Sequence, residues 1–264
     1  MARYGALFSG SQGNSTFVGT ATQGLLIDVG VSAKRIEEAL RRREITPDRI
    51  SGVLITHEHC DHIQGLRVLT KRYHWPVYAS EGTLTALMNS GGITPGCDVV
   101  PLYDREPIEI GDMQVTPFHT PHDARESMGF CIETPDERKI GIATDMGVMW
   151  DEVERQLSLC DLVHIESNHD VNMLKCGPYP YPLQQRILSD RGHLSNEVCA
   201  EVVVRLAMNG VARFTLAHLS ANNNTPGIAR RANVSALGQA GLVCDRDYLL
   251  EIAAPVSESP LTIF

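Results

Sequence analysis

The stretch Thr56-His57-Glu58-His59-Cys60-Asp61-His62 constrains this chain more than any other. It follows the apolar run Gly52-Val53-Leu54-Ile55, which reads as a buried strand. Ile63 and Gly65-Leu66 then open a helical pattern. Three imidazoles and two carboxylates therefore crowd onto the turn at the C-terminal end of a strand. Open α/β sheets carry their ligands at such turns. Nothing in the cluster is apolar enough to fill a core, so packing does not require it. A pair of metal ions requires something like it.

The rest of the chain carries three more polar strand ends that core packing does not explain. Pro117-Phe118 leads to His119-Thr120-Pro121-His122-Asp123, Ile140-Gly141-Ile142-Ala143 to Thr144-Asp145, and Val211 to Leu216 leads to Ala217-His218. With His57 to His62 they supply enough imidazole and carboxylate for two metal sites. His57 and His59 stand two apart, so an extended turn points both to one side. Asp61 and His62, at the helix start, can face a second ion, and Asp145 can bridge the two. The donors are nitrogen and oxygen without thiolate, which favours Zn²⁺, Mn²⁺ or Fe²⁺ over Cu(I) or iron–sulfur clusters. Asp28 closes the buried run Gly24-Leu25-Leu26-Ile27 and needs a partner there. It can orient a metal-binding histidine or shape the turn before Gly30.

Composition narrows the setting. Hydrophobic content of 43% and charged content of 21% suit a globular chain with a full core. The formal charge of -9 argues against a protein held to nucleic acid or membrane mainly by a basic surface. It does not exclude a nuclease, because bound cations place positive charge where the phosphate sits. The seven cysteines are scattered and form no Cys-x-x-Cys pair, which reads as reduced thiols. Met1 to Gly5 lacks a signal-peptide apolar segment, and no run approaches the ~20 apolar residues of a membrane span. The expected setting is the cytoplasm, with no membrane association.

Strand-rich and helical patterns alternate through both halves, and no long linker or short repeat appears. The expectation is one domain, 1–264, with two sheets inside a helical shell. Basic residues Lys34, Arg35, Arg41, Arg42 and Arg43 form the solvated face of a helix whose inward residues are Ile36, Ala39 and Leu40. Ser195 caps a helix that carries Val198, Val202 and Leu206. Tyr248 to Ile252 reads as the closing strand. The loop Ser9 to Ser15 offers N–H groups and hydroxyls to a phosphate oxygen, or is simply a flexible hairpin loop.

His57-x-His59-x-Asp61-His62, with His122, Asp145 and His218, resembles the five-part signature of the metallo-β-lactamase superfamily. Asp28 occupies its first motif. The resemblance spans essentially the whole chain and implies an α/β (α+β) fold, the αβ/βα sandwich of two mixed β-sheets flanked by helices. Ser9 to Asn14, His122-Asp123-Ala124, Glu166-Ser167-Asn168-His169-Asp170, Gly192-His193-Leu194-Ser195-Asn196 and Ala217-His218-Leu219-Ser220 resemble the WalJ/YycJ-type branch. That branch is associated with 5′-to-3′ exonuclease activity on DNA and with a bacterial two-component signalling system.

Carried over residue by residue, the resemblance implies His57, His59 and His122 on a first metal, Asp61, His62 and His218 on a second, and Asp145 bridging. His122 is preferred to His119, which still lies on its strand. His193 resembles the phosphate-contacting histidine of β-CASP nucleases, although the inserted β-CASP domain is absent; otherwise it only packs at a helix entry. Ser11, Asn14, His169, His193 and Ser195 are candidate substrate contacts. Glu166, like Asp28, is a candidate support behind the ligands, and both Glu166 and His169 compete with simple turn chemistry. His164 lies within a strand as core or support, His74 on the surface, and Cys60 at a spacer position.

The implied function is a dinuclear phosphodiesterase, a 5′-3′ DNA exonuclease, with Zn or Mn ahead of Fe and DNA ahead of RNA as substrate. A hydroxide shared by two cations attacks the phosphodiester, Asp61 orients it and His193 serves the leaving oxygen. One alternative is a small-molecule hydrolase acting on a cyclic phosphodiester, lactone, thioester or β-lactam. A di-iron redox enzyme is disfavoured, since His59 stands where such members carry glutamate. A non-catalytic regulatory protein is disfavoured because no ligand is lost.

Overall fold

Apolar runs closed by Gly, Pro and polar turns become strands, and runs with inward residues three and four apart become helices. A computed structural model describes residues 1–264. In its first half the elements are β1 (Arg3–Phe8), β2 (Ser15–Gly19), β3 (Gly24–Ile27), α1 (Ala33–Arg42), β4 (Ile50–Leu54), α2 (Cys60–Ile63), α3 (Leu66–Tyr73), β5 (Val77–Ser80), α4 (Glu81–Ser90), β6 (Val99–Leu102), β7 (Ile108–Ile110), β8 (Met113–His119) and β9 (Met128–Glu133). There follow β10 (Lys139–Ala143), α5 (Asp151–Leu157), β11 (Leu162–Glu166), α6 (Val171–Cys176), α7 (Tyr181–Ile187), α8 (Asn196–Met208), β12 (Arg213–Ala217), α9 (Pro226–Gln239), β13 (Leu249–Ile252) and β14 (Thr262–Ile263). The strands make two mixed, seven-stranded sheets flanked by helices, the fold class expected. No helix is long and apolar enough to cross a membrane.

Contacts divide the chain into two compact units. Unit 1 comprises Met1–His119, Ala124–Arg138 and Ala254–Phe264. Its seven-stranded sheet has the order β14-β1-β2-β3-β4-β5-β6. Strands β1 to β3 pair antiparallel, and β3 to β6 run parallel. Buried Leu26, Val53, Ile55 and Val77 from the sheet join Ile36 and Leu40 of α1 and Leu66 and Leu69 of α3 in one core cluster. Each such side chain contributes about 1.5–3 kcal/mol by leaving water. The parallel run β3-β4-β5 sends its C-terminal ends, and hence Asp28 and Thr56, to the same edge. Strands β7, β8 and β9 also belong to unit 1 and form an antiparallel meander.

Unit 2 comprises Thr120–Asp123 and Lys139–Ala253. Its strands β10, β11, β12 and β13 run parallel in that order. Asp145, Glu166 and His218 therefore also share one edge, each at or just beyond a strand's C-terminal end.

Some local expectations need correction, and two elements, β6 and α6, carry no periodic sequence pattern that marks them. Val198 is 38% exposed, because α8 buries Cys199, Val202, Val203 and Leu206 instead. Arg43 is not on the solvated face. Its guanidinium donates to the carbonyls of Ala39 and Ser257, and burial lowers its pKa. Tyr248 to Ile252 is not the last strand, since the two-residue β14 pairs with β1. Strand β6 contains Pro101 and sits at a sheet edge, where a missing N–H costs no ladder bond. Helix α6 is six residues long, too short for periodicity, and its signal is the Asp170 cap that accepts from the Met173 amide.

Candidate metal centre

In unit 1 the turn after β4 brings its imidazoles into contact. The His57 ring lies 4.5 Å from that of His59 and 4.1 Å from that of His62, centroid to centroid. His57 and His62 are fully buried, while Asp61 is partly exposed. Asp28 sits behind them as a hub. Its Oδ1 accepts from the Thr56 amide at 2.9 Å. Its Oδ2 accepts from the Thr56 hydroxyl at 2.9 Å and faces His62 Nδ1 at 2.7 Å. His57 Nδ1 lies 3.0 Å from the Thr56 hydroxyl oxygen. With that hydroxyl donating to Asp28, His57 donates to Thr56 in turn. Both imidazoles thus have Nδ1 committed and Nε2 as the remaining nitrogen. A carboxylate behind an imidazole is the arrangement that fixes the tautomer of a metal-binding histidine.

The loop before β2 is locked onto this turn. Gly10 N donates to Asn14 Oδ1 at 2.8 Å, and Asn14 N donates to the Asp61 carbonyl at 2.8 Å. Asn14 Nδ2 stands 3.4 Å from Asp61 Oδ2 and 3.2 Å from His62 Nε2. A Cβ on Gly30 would fall 1.6 Å from the Asp61 carbonyl oxygen, so glycine is what lets these segments meet. Asn14 is buried in this lock, whereas Ser11 is exposed at the loop tip. Glu58 Oε1 accepts from the Arg125 amide at 2.9 Å. Cys60 is exposed. His119 lies at the end of β8, with Nε2 3.2 Å from Glu126 Oε1. His74 is an exposed, left-handed residue closing α3.

Unit 2 holds a second hub. Glu166 is fully buried at the end of β11. Its Oε1 lies 2.7 Å from His193 Nδ1 and 2.8 Å from His218 Nδ1. Its Oε2 accepts from the amides of Met146 and Leu194, each at 3.1 Å. Burial opposes ionisation of Glu166, but the two imidazoles outweigh it and hold the carboxyl below its ordinary value. Burial likewise lowers His193, yet Glu166 outweighs it and its pKa is raised. Asp145, Glu166, His193 and His218 each offer one donor atom within 4.8 Å of the others. The bonding divides their roles: Glu166 spends both oxygens as an acceptor, so it orients the two imidazoles and leaves their Nε2 atoms for other work.

His122 points Nδ1 at the Gly192 carbonyl, 3.3 Å away, and Nε2 towards Asp145 Oδ1 at 3.9 Å. Burial lowers its pKa, which favours the neutral imidazole a metal requires. His164 is buried inside β11, and burial pushes its pKa down to about 3. His169 is 1% exposed with neither ring nitrogen hydrogen-bonded, and burial lowers its pKa. Ser195 caps α8 by accepting from the Val198 amide.

Sequence reasoning missed the polar lattice that supports these groups. Ser167 Oγ donates to Asn196 Oδ1 at 2.6 Å, and Asn224 Nδ2 donates to Asn196 Oδ1 and to the carbonyls of Ser167 and Asn168. Asn168 Nδ2 donates to the His218 carbonyl at 2.9 Å. The polar loop Asn222 to Asn224 was the visible signal, but its partners lie far away in sequence. Asp28, Asp145 and His218 all have left-handed backbones, with φ of 59°, 59° and 52°. Such geometry is uncommon outside glycine and is best tolerated by short polar side chains and histidine. It turns each side chain sharply at its strand end, and for His218 the Asn168 bond holds that turn.

These donors suit divalent cations: imidazoles with one nitrogen fixed by a carboxylate, hydroxyl or carbonyl, beside Asp61 and Asp145, and no thiolate. Comparison with known proteins agrees. The chain is 37% identical over 238 residues to exodeoxyribonuclease YycJ of Bacillus anthracis, covering 90% of each chain. It is 36% identical over 262 residues to exodeoxyribonuclease WalJ of Streptococcus pneumoniae, covering 98% of this chain and 97% of the relative. In fold it is similar to the metallo-β-lactamase fold protein YhfI of Bacillus subtilis, at a TM-score of 0.72 and 15% identity over 97% of this chain and 98% of that one. Residues 24–219 match the Beta-lactamase superfamily domain, and the chain belongs to that superfamily.

Proposed function

We propose that this chain is a metal-dependent hydrolase of nucleic acid, a 5′-3′ DNA exonuclease, in which residues 1–264 act as one domain around two divalent ions. The carrying observation is the pair of buried carboxylate hubs: Asp28 holds His62 by Nδ1 and reaches His57 through the Thr56 hydroxyl, and Glu166 holds His193 and His218 by Nδ1. A structural histidine does not need this support, whereas a metal-binding one uses it. The choice of DNA is supported by the names of the two relatives that match almost the whole chain. Polarity of digestion rests on the branch resemblance alone.

In this reading His57, His59 and His122 would hold one ion and Asp61, His62 and His218 the other, with Asp145 available to both. When bound, such ions lower the pKa of water and neutralise charge on a phosphate; Zn²⁺ and Mn²⁺ suit the donors best and Fe²⁺ also fits. Asp28 and Glu166 keep His57, His62 and His218 in the tautomer that offers Nε2. Asp61 orients the attacking water. His193 has Nδ1 held by Glu166, which leaves its Nε2 to donate towards the leaving oxygen. In the metal-free protein the Glu166 carboxylate outweighs burial and raises the His193 pKa.

The test is digestion of end-labelled single-stranded DNA, duplex DNA, RNA and bis(p-nitrophenyl) phosphate with Mn²⁺ or Zn²⁺, beside Asp145→Asn. Expected is metal-dependent release of mononucleotides from the 5′ end of DNA, lost in the variant. Turnover of the small diester alone would favour the small-molecule hydrolase. No hydrolysis of any substrate with any metal would overturn both.

A further inference from the structure

A cleft of about 490 Å³ in unit 1 opens beside Asp61, and Ser11, Gln12, Gln64 and Arg67 line it. One wall is the Ser9 to Ser15 loop. That wall is fixed, because Asn14 ties it to the Asp61 main chain and Gly30 packs against the same carbonyl. The cleft therefore starts at Asp61 rather than merely near it. Asp61 is its one acidic residue and Arg67 its one basic residue.

Arg67 and Lys71 stand four apart on α3, one turn along the same helix face, and both are exposed. Several neighbouring cations are already engaged, though Lys34 and Arg41 of α1 are not. Arg72 pairs with Glu37, Arg42 with Glu38 and Glu258, and Arg35 lies over the Phe8 ring at 4.7 Å. Arg67 and Lys71 take part in no ion pair. On a chain of net charge -9, what sets Arg67 and Lys71 apart from Lys34 and Arg41 is the cleft, since Arg67 lines it together with Asp61 and a polyanion leaving it meets both α3 cations.

We propose that this cleft and the Arg67–Lys71 face of α3 form the track for the nucleic-acid strand adjoining the scissile phosphate, with Arg67 and Lys71 touching backbone phosphates. The track rests on the nuclease reading above and names where its substrate lies. Phosphate-binding cations of this kind position a strand without reading its sequence.

The experiment measures KM and kcat for labelled single-stranded DNA across a salt series, for wild type, Arg67→Ala/Lys71→Ala, and Lys175→Ala/Arg231→Ala. The last removes the same charge from exposed positions of unit 2. Removing one phosphate-neutralising cation reduces the log–log salt slope for a single strand by roughly 0.7, so the track variant should drop by roughly 1.4 while the control keeps the wild-type slope. The change should fall on KM rather than kcat, and turnover of bis(p-nitrophenyl) phosphate reports the metal centre separately. A track variant with the wild-type slope, or a control that shifts equally, overturns the track alone. Wild-type enzyme that hydrolyses the small diester but no nucleic acid overturns the nuclease reading and the track together.

Discussion

Asp28 holds one histidine by Nδ1 and a second through Thr56, Glu166 holds two directly, and the chain assembles the surroundings of these buried carboxylates in different ways. Around Asp28, Thr56, His57 and His62 come from one turn of seven residues. Local backbone geometry sets their spacing, and only Asp28 and the Asn14 lock arrive from elsewhere. Around Glu166, His193 and His218 come from separate elements, and amides of Met146 and Leu194 complete the shell. A buried lattice of Ser167, Asn168, Asn196 and Asn224 holds those segments in place. A contiguous motif needs one hub and little else. A dispersed one needs a scaffold of buried polar bonds, each costly to leave half made.

The largest expected effect lies in the dispersed region. Glu166→Ala removes the acceptor of two imidazoles and two amides in a fully buried place. Breaking a buried network from one side costs about 3–5 kcal/mol, to be read by urea denaturation. Activity should vanish with it. A loss below ~1 kcal/mol, the worth of one ordinary hydrogen bond, would show that the dispersed region does not depend on its hub.

The contiguous region should be less fragile. Asp28→Asn keeps an acceptor oxygen for Thr56 and tolerates the left-handed backbone. The fold should persist, and metal affinity should fall about 10–100-fold by titration, the usual cost of losing a supporting carboxylate. Unfolding of this variant as complete as that of Glu166→Ala would erase the distinction between the two regions.

At neutral pH the smallest effect concerns His164, which is buried inside β11 and acts only as the pH falls. Burial holds its pKa at about 3, below the ordinary 6.5. Above pH 6.5 it is neutral in both folded and unfolded chains and adds no pH dependence. As pH falls from 6.5 towards 3, the unfolded chain takes up a proton that the folded chain refuses. Stability then falls by up to about 1.4 kcal/mol per pH unit. His164→Gln should flatten that acid limb in metal-free protein, measured by denaturation at several pH values. An unchanged limb would mean that other groups carry the acid sensitivity.

The same contrast decides what could be read from the sequence. His57-x-His59-x-Asp61-His62 is legible because its chemistry is packed into a turn between a strand and a helix. The parallel strands were legible as apolar runs, and their polar C-terminal ends pointed to Asp145, Glu166 and His218. What stayed hidden depends on long-range meetings: Thr56 linking His57 to Asp28, Asn168 holding the His218 carbonyl, and Gly30 against Asp61. Short or atypical elements were hidden too. Strand β6 carries a proline, and β14 is two residues long. Their sheet partners define them, and periodicity does not.

The proposed assignment gives His62 and His218 to one ion, with Asp28 behind the first and Glu166 behind the second. Titration of Zn²⁺ or Mn²⁺ into metal-free protein, followed by calorimetry, tests it most directly, with wild type beside Asp28→Asn and Glu166→Gln. Two ions per chain are expected, with Glu166→Gln weakening the ion assigned to Asp61, His62 and His218, and Asp28→Asn weakening that ion through His62 and, to a smaller extent, the other through His57. A single ion per chain, or either variant leaving the ion assigned to Asp61, His62 and His218 at wild-type affinity, would overturn the assignment.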